Sequence, residues 1–210
     1  MKGSKKSNFT DVMLRWEFKF TVTIFLLMLA FTEYTKNPDR VHELCLWGMA
    51  FSTLGDLFLM DYMGVPQHVF KGKQFYAGMA SFVIAHVLYR QMFRAATPEF
   101  KFFDVGDVIT LAMMITLFMA VYNMKFKKKS KLFFGASGLY TGIILANLAA
   151  AINCVVANDG RYIWAMIGVV SFMISDALLF VREAKLDTLL IRKLVWVFYP
   201  LAQILIIMNV

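Results

Sequence analysis

Two carboxylates stand where carboxylates are expensive. Asp56 lies in FSTLGDLFLMD (51–61) and Asp176 in VSFMISDALLFV (170–181), each inside an apolar run long enough to cross a bilayer. A charged group at that depth as a rule faces a polar cavity and works there. The chemistry open to such a pair is proton transfer: desolvation and mutual repulsion keep one carboxyl protonated while the other stays ionised. The same pairing also suits a proton relay, so a proton-coupled transporter of a small or lipid-like substrate stands as the alternative to an enzyme.

Other polar residues recur at spacings that put them beside this pair. Ser52 is four residues before Asp56, on the same helix face, whereas Ser175, adjacent to Asp176, points toward a neighbouring helix. His86 and Tyr89 are three apart; Tyr199 and Gln203 are four apart; Asn147 and Asn153 share one apolar run; Glu17 and Lys19 open the first. Each has a plainer reading. Asn147, Asn153 and Gln203 serve equally well to tie helices together, His86 suits a satisfied core position, and Glu17 and Lys19 can simply snorkel to the interface. GASGLYTG (135–142) misses the G-x-S-x-G nucleophile elbow by one residue and reads as close helix packing through Gly138 and Gly142. His42, His68 and His86 have no metal-ligand spacing, so no metal or other cofactor is expected.

The elements that must carry these residues are membrane helices. Of 210 residues, 60% are hydrophobic and 17% charged, and the mean hydropathy is +0.62; soluble domains run near half apolar and a quarter charged. Runs of about 20 residues, the length that spans a hydrocarbon core, fall at roughly 16–33, 43–61, 75–94, 105–123, 132–156, 161–181 and 189–209. The fold class is therefore all-α: a polytopic transmembrane bundle of about seven spans over 16–210, preceded by a basic cytoplasmic segment, 1–15, that does not read as a cleaved signal. Pro38, Pro66 and Pro98 sit in connections, and Pro200 interrupts the last span. Cys45 and Cys154 fall in spans as small hydrophobes, with no disulfide framework implied.

The net charge of +8 lies between the apolar runs, so it reads as a topology signal rather than a nucleic-acid surface. With the N-terminus cytoplasmic and the C-terminus outside, 15 Lys and Arg fall on the cytoplasmic side and 6 on the other, Lys19 being unassigned. FKKKSK (126–131) reads as part of that anchor, and the Asn8-Phe9-Thr10 sequon falls on the cytoplasmic side. This orientation places Asp56 and Asp176 at matching depth, about 8 Å inside the cytoplasmic surface at 1.5 Å per residue. A bacterial plasma membrane is the expected location.

FSTLGDLFLM (51–60), GMASFVIAHVLY (78–89), GVVSFMISDALLF (168–180) and YPLAQILI (199–206) together resemble, in order and spacing, the motifs of the YhhN family, to which the animal lysoplasmalogenases belong. The likeness runs from about residue 16 to the end. Family members are described with eight spans, where seven are counted here, and Lys19-Phe20 stands where the family typically reads Lys-Pro. The resemblance implies hydrolysis of the vinyl-ether bond of a lysophospholipid, with Asp56 and Asp176 as the catalytic aspartates. Such a bond breaks by protonation of its β-carbon and capture of the resulting cation by water, which needs an acid and a base but no nucleophilic side chain. Ser52, His86, Tyr89, Asn147, Tyr199, Gln203 and Lys19 are then candidates for positioning substrate or water. The expected partners are the lysophospholipid and membrane lipids, with no nucleic acid; a receptor or scaffold has no need of two matched carboxylates.

Overall fold

The computed structural model describes residues 16–59, 74–97, 105–123, 131–183 and 188–210. The segment 1–15 with its sequon, Pro66, His68, Pro98 and the basic run 126–130 lie outside the described residues. Among the described residues there are seven α-helices: α1 Trp16–Lys36, α2 Arg40–Leu59, α3 Gln74–Ala95, α4 Val105–Asn123, α5 Lys131–Ala157, α6 Ile163–Glu183 and α7 Leu189–Ile207. Each follows an apolar run of the sequence, because backbone in hydrocarbon must satisfy its own N–H and C=O groups. Starts are fixed by side-chain caps where the chain is polar. The Asp39 carboxylate accepts from the His42 amide at 2.9 Å at the head of α2, and Thr188 caps α7 through the Ile191 amide at 3.3 Å. Pro200 lies within α7, which continues through it; the carbonyl of Trp196, four residues earlier, thereby lacks its usual helical donor.

Four of the helices are long and apolar enough to cross a membrane by length and composition: Glu17–Lys36 of α1, Gly135–Ala157 of α5, Ile163–Arg182 of α6 and Leu189–Ile207 of α7. The expected seven spans exceed this number. The shortfall has a physical cause in what two other helices carry: Arg40, Glu43 and Asp56 on α2, and His86, Arg90 and Arg94 on α3.

Burial is inverted relative to a water-soluble protein. Phe25, Met28, Trp47, Leu139 and Trp164 face outward, more than half exposed, while Thr23, Ser52, His86, Asn147 and Gln203 are sealed inside. Neighbouring pairs α1–α2, α2–α3, α3–α5, α5–α6, α6–α7 and α7–α1 close a ring of six helices, with α4 laid against α5. Small residues set the closest approaches. Tyr89 and Phe82 of α3 lie on Gly48 and Gly55 of α2, and at Gly168 of α6 a Cβ would come 2.8 Å from the Ala202 carbonyl oxygen of α7.

Gly138 and Gly142 do not serve this way. Both face open space, and α5 packs instead through Ile144, Leu148, Ala151 and Cys154. The small-xxx-small spacing is there, but it lies on the side of α5 turned away from the ring. Cys45 and Cys154 are both buried with free thiols.

Candidate active site

The site lies inside the helix ring, where α1, α2, α3, α6 and α7 leave a cavity between them. Asp56 and Asp176, 6% and 7% exposed, line it together with Lys19, Phe82, Arg182 and Tyr199. The empty space measures about 460 Å³, counted with its open mouth. Neither carboxylate is turned to lipid.

Asp176 is held from two sides. The Tyr140 hydroxyl of α5 donates to Oδ2 at 2.7 Å, and His86 Nε2 of α3 meets the same oxygen at 3.2 Å. The Asn147 amide nitrogen lies 3.2 Å from His86 Nδ1, so this network assigns the ring proton to Nε2 and leaves Nδ1 as acceptor. The imidazole thus donates to Asp176, its ring centroid 4.6 Å from that of Phe172 with the planes tilted by 59°. Two donors on one oxygen suit an ionised carboxylate, with Oδ1 left for the cavity.

Asp56 has a sparser setting. The Thr23 hydroxyl of α1 donates to Oδ2 at 2.7 Å. The buried Tyr199 hydroxyl faces the same carboxyl but stops short of hydrogen-bond geometry. Below both carboxylates, Phe82, Phe172 and Tyr199 pack edge to face at 5.6–6.2 Å and form an aromatic floor.

The residues singled out from sequence fall into three groups. Lys19, Asp56, Asp176 and Tyr199 line the cavity itself. His86 and Asn147 stand behind Asp176 as a relay. Ser52, Tyr89 and Gln203 are fully buried one turn deeper, where Tyr89 donates to Gln203 Oε1 at 2.6 Å. The Ser52 hydroxyl and the Gln203 amide nitrogen find no partner there among the described residues. Asn153 takes no part: it accepts from the Gly106 amide at 2.7 Å and donates to Asp107 at 3.1 Å, tying α4 to α5. Ser175 turns toward α7, 3.4 Å from the Val195 carbonyl, and also borders the cavity. Glu17 is exposed, and His42 pairs with Asp39 at the far end of α2. Among the described residues no three His, Cys, Asp or Glu side chains converge as metal ligands.

Four contributors were missed: Thr23, Tyr140, Arg182 and Trp196. For two a spacing signal existed. Thr23 is four residues after Lys19, and Tyr140 is seven before Asn147, in each case the same helix face.

Comparison with curated proteins and with solved structures returns no match. The sequence profile of one family does match, over residues 14–210, and so takes in every residue of this cavity; the chain belongs to the YhhN family.

Proposed function

We propose that the chain is an integral-membrane hydrolase that cleaves the vinyl-ether bond of lysoplasmalogens, lysoplasmenyl-ethanolamine or -choline, to a fatty aldehyde and a glycerophospho-alcohol. The observation that carries this reading is the pair of buried carboxylates on one small cavity with unlike surroundings. Asp176, held by Tyr140 and His86, is the ionised partner; Asp56, with Thr23 and the Tyr199 hydroxyl, keeps the proton and acts as general acid. Asp56 protonates the β-carbon of the vinyl ether, and the carboxylate of Asp176 faces the oxocarbenium ion that forms. Water adds to that cation and gives its proton to Asp176. The hemiacetal then collapses: its hydroxyl proton passes to Asp56 while Asp176 returns a proton to the departing alcohol oxygen. Both carboxyls are back in their starting states, and no covalent intermediate is needed. The polar end of the lipid and its first ether atoms would enter at the mouth of the cavity, the chain remaining in the membrane. In this reading the protein resides in a bacterial plasma membrane with its N-terminus cytoplasmic and its C-terminus outside.

The test is aldehyde release from lysoplasmenyl-ethanolamine by the purified full chain in detergent. Asp56→Asn and Asp176→Asn are each expected to lower turnover at least ~100-fold, the scale of a lost general acid or base, with melting temperature nearly unchanged. Turnover that survives both substitutions overturns the reading. Substrate-driven proton flux into liposomes without hydrolysis would assign the same carboxylates to a transporter.

A further inference from the structure

The polar interior continues past the cavity floor. One turn deeper than Asp56 on α2 stands Ser52, and one turn deeper than Tyr199 on α7 stands Gln203, both fully buried. Tyr89 of α3 links the two. Its hydroxyl donates to Gln203 Oε1 at 2.6 Å and faces the Ser52 hydroxyl without closing a hydrogen bond. The Tyr199 hydroxyl faces both Asp56 and Gln203 and so joins this deeper level to the cavity. Among the described residues, three atoms of the set have no hydrogen-bond partner: Ser52 Oγ, Tyr199 Oη and Gln203 Nε2.

Buried polar atoms left unpaired are costly, and native interiors satisfy them. Reversing the Gln203 amide does not help, because its oxygen then occupies the same unpartnered place. The identity of the absent partner follows from the donors. An amide N–H only donates, and the other two groups are hydroxyls, so a metal cation is not what this set holds. With no charged group in the set, an anion would be buried uncompensated. Water fits, since it accepts and donates, and a buried water typically bridges about three polar groups.

We infer that Ser52, Gln203 and Tyr199 bind internal water behind the aromatic floor, and that the water consumed in the reaction is drawn from this store. The second half rests on the proposed hydrolysis; the occupancy of the site does not. A lipid entering at the mouth of the cavity plugs it, so the water that adds to the oxocarbenium ion has to be inside already. Tyr199 stands at the boundary, its ring in the floor and its hydroxyl beside Asp56. Ser52 and Gln203 are then positioning residues, which touch the water and not the lipid.

The experiment is radiolytic hydroxyl-radical labelling of the full chain in dodecyl maltoside and heavy-oxygen water, read by mass spectrometry. Radicals formed from a bound water modify the side chains next to it, even where bulk solvent does not reach. Tyr89 and Phe93 are neighbouring positions on one face of α3, each 0% exposed. Corrected for intrinsic reactivity, Tyr89 is expected to be labelled at least ~10-fold faster than Phe93, as a side chain beside buried water is. Ser52→Ala and Gln203→Leu should each remove most of that excess. A second arm adds methanol during turnover. Methanol adds to the cation, gives its proton to Asp176, and leaves a mixed acetal that has no hydroxyl proton to lose and is released intact. The unaltered protein is expected to form aldehyde almost alone, and Gln203→Leu severalfold more acetal per aldehyde, a ratio that a general loss of rate does not move. Tyr89 labelled no faster than Phe93, or an excess unmoved by both substitutions, overturns the site. Labelling as expected with an unchanged product ratio overturns its part in the reaction. Labelling without any aldehyde refutes the hydrolysis and leaves the water site standing.

Discussion

One oxygen of Asp176 receives both the Tyr140 hydroxyl and the His86 ring, so each donor stabilises the charged form on which the base depends. A hydrogen bond to a charged group contributes about 1.5–3 kcal/mol. Tyr140→Phe is therefore expected to lower kcat roughly 10- to 100-fold with KM little changed, whereas Tyr89→Phe, which loses only a bond to Gln203, should lower it far less; steady-state aldehyde release separates the two. The sequence made Asp56 and Asp176 conspicuous because a carboxylate inside an apolar run has few reasons to be there. It gave no such prominence to Tyr140 or Thr23. Tyrosine and threonine are unremarked in membrane helices, and only the period linking them to Asn147 and Lys19 marks them out.

The helices themselves were legible because backbone in lipid has a single local solution, and an apolar run with polar ends states its length. Which face of each helix meets which neighbour was not. The glycines of α5 show why: Gly138 and Gly142 share a spacing with true packing glycines, yet they face open space, while Gly168 meets the α7 backbone. Spacing defines a stripe but carries no information on where the next helix stands. Gly168→Ala is expected to force α6 from α7, destabilising the protein by about 1–3 kcal/mol as overpacking does, and to reduce activity by moving Asp176 relative to Tyr199. Gly142→Ala should leave both unchanged or slightly raise stability through helix propensity. Thermal unfolding in detergent, followed beside turnover, compares the pair.

At the scale of the molecule, the outward faces are apolar and the interior holds the polar groups, so lipid is the solvent the surface is built for. Met28, 64% exposed near the middle of α1, tests this: Met28→Lys puts a charge into hydrocarbon at a cost of about 2.5–3.5 kcal/mol. It is expected to reduce the yield of membrane-integrated protein severalfold, as read from the membrane fraction, where a water-facing position would be indifferent. Composition stated the membrane environment plainly, but the seven spans read from it exceed the four helices apolar enough to cross, because α2 and α3 carry polar groups in the same turns that give the site its chemistry. The ring also closes between its first and last helices, α1 and α7. About 120 residues separate Asp56 from Asp176, so at 5–20 residues per second the ribosome needs roughly 6–24 s to deliver the second after the first. For that interval the earlier acid is threaded into the bilayer without its chamber, and the insertion apparatus must shelter it until the final helix arrives to seal the wall.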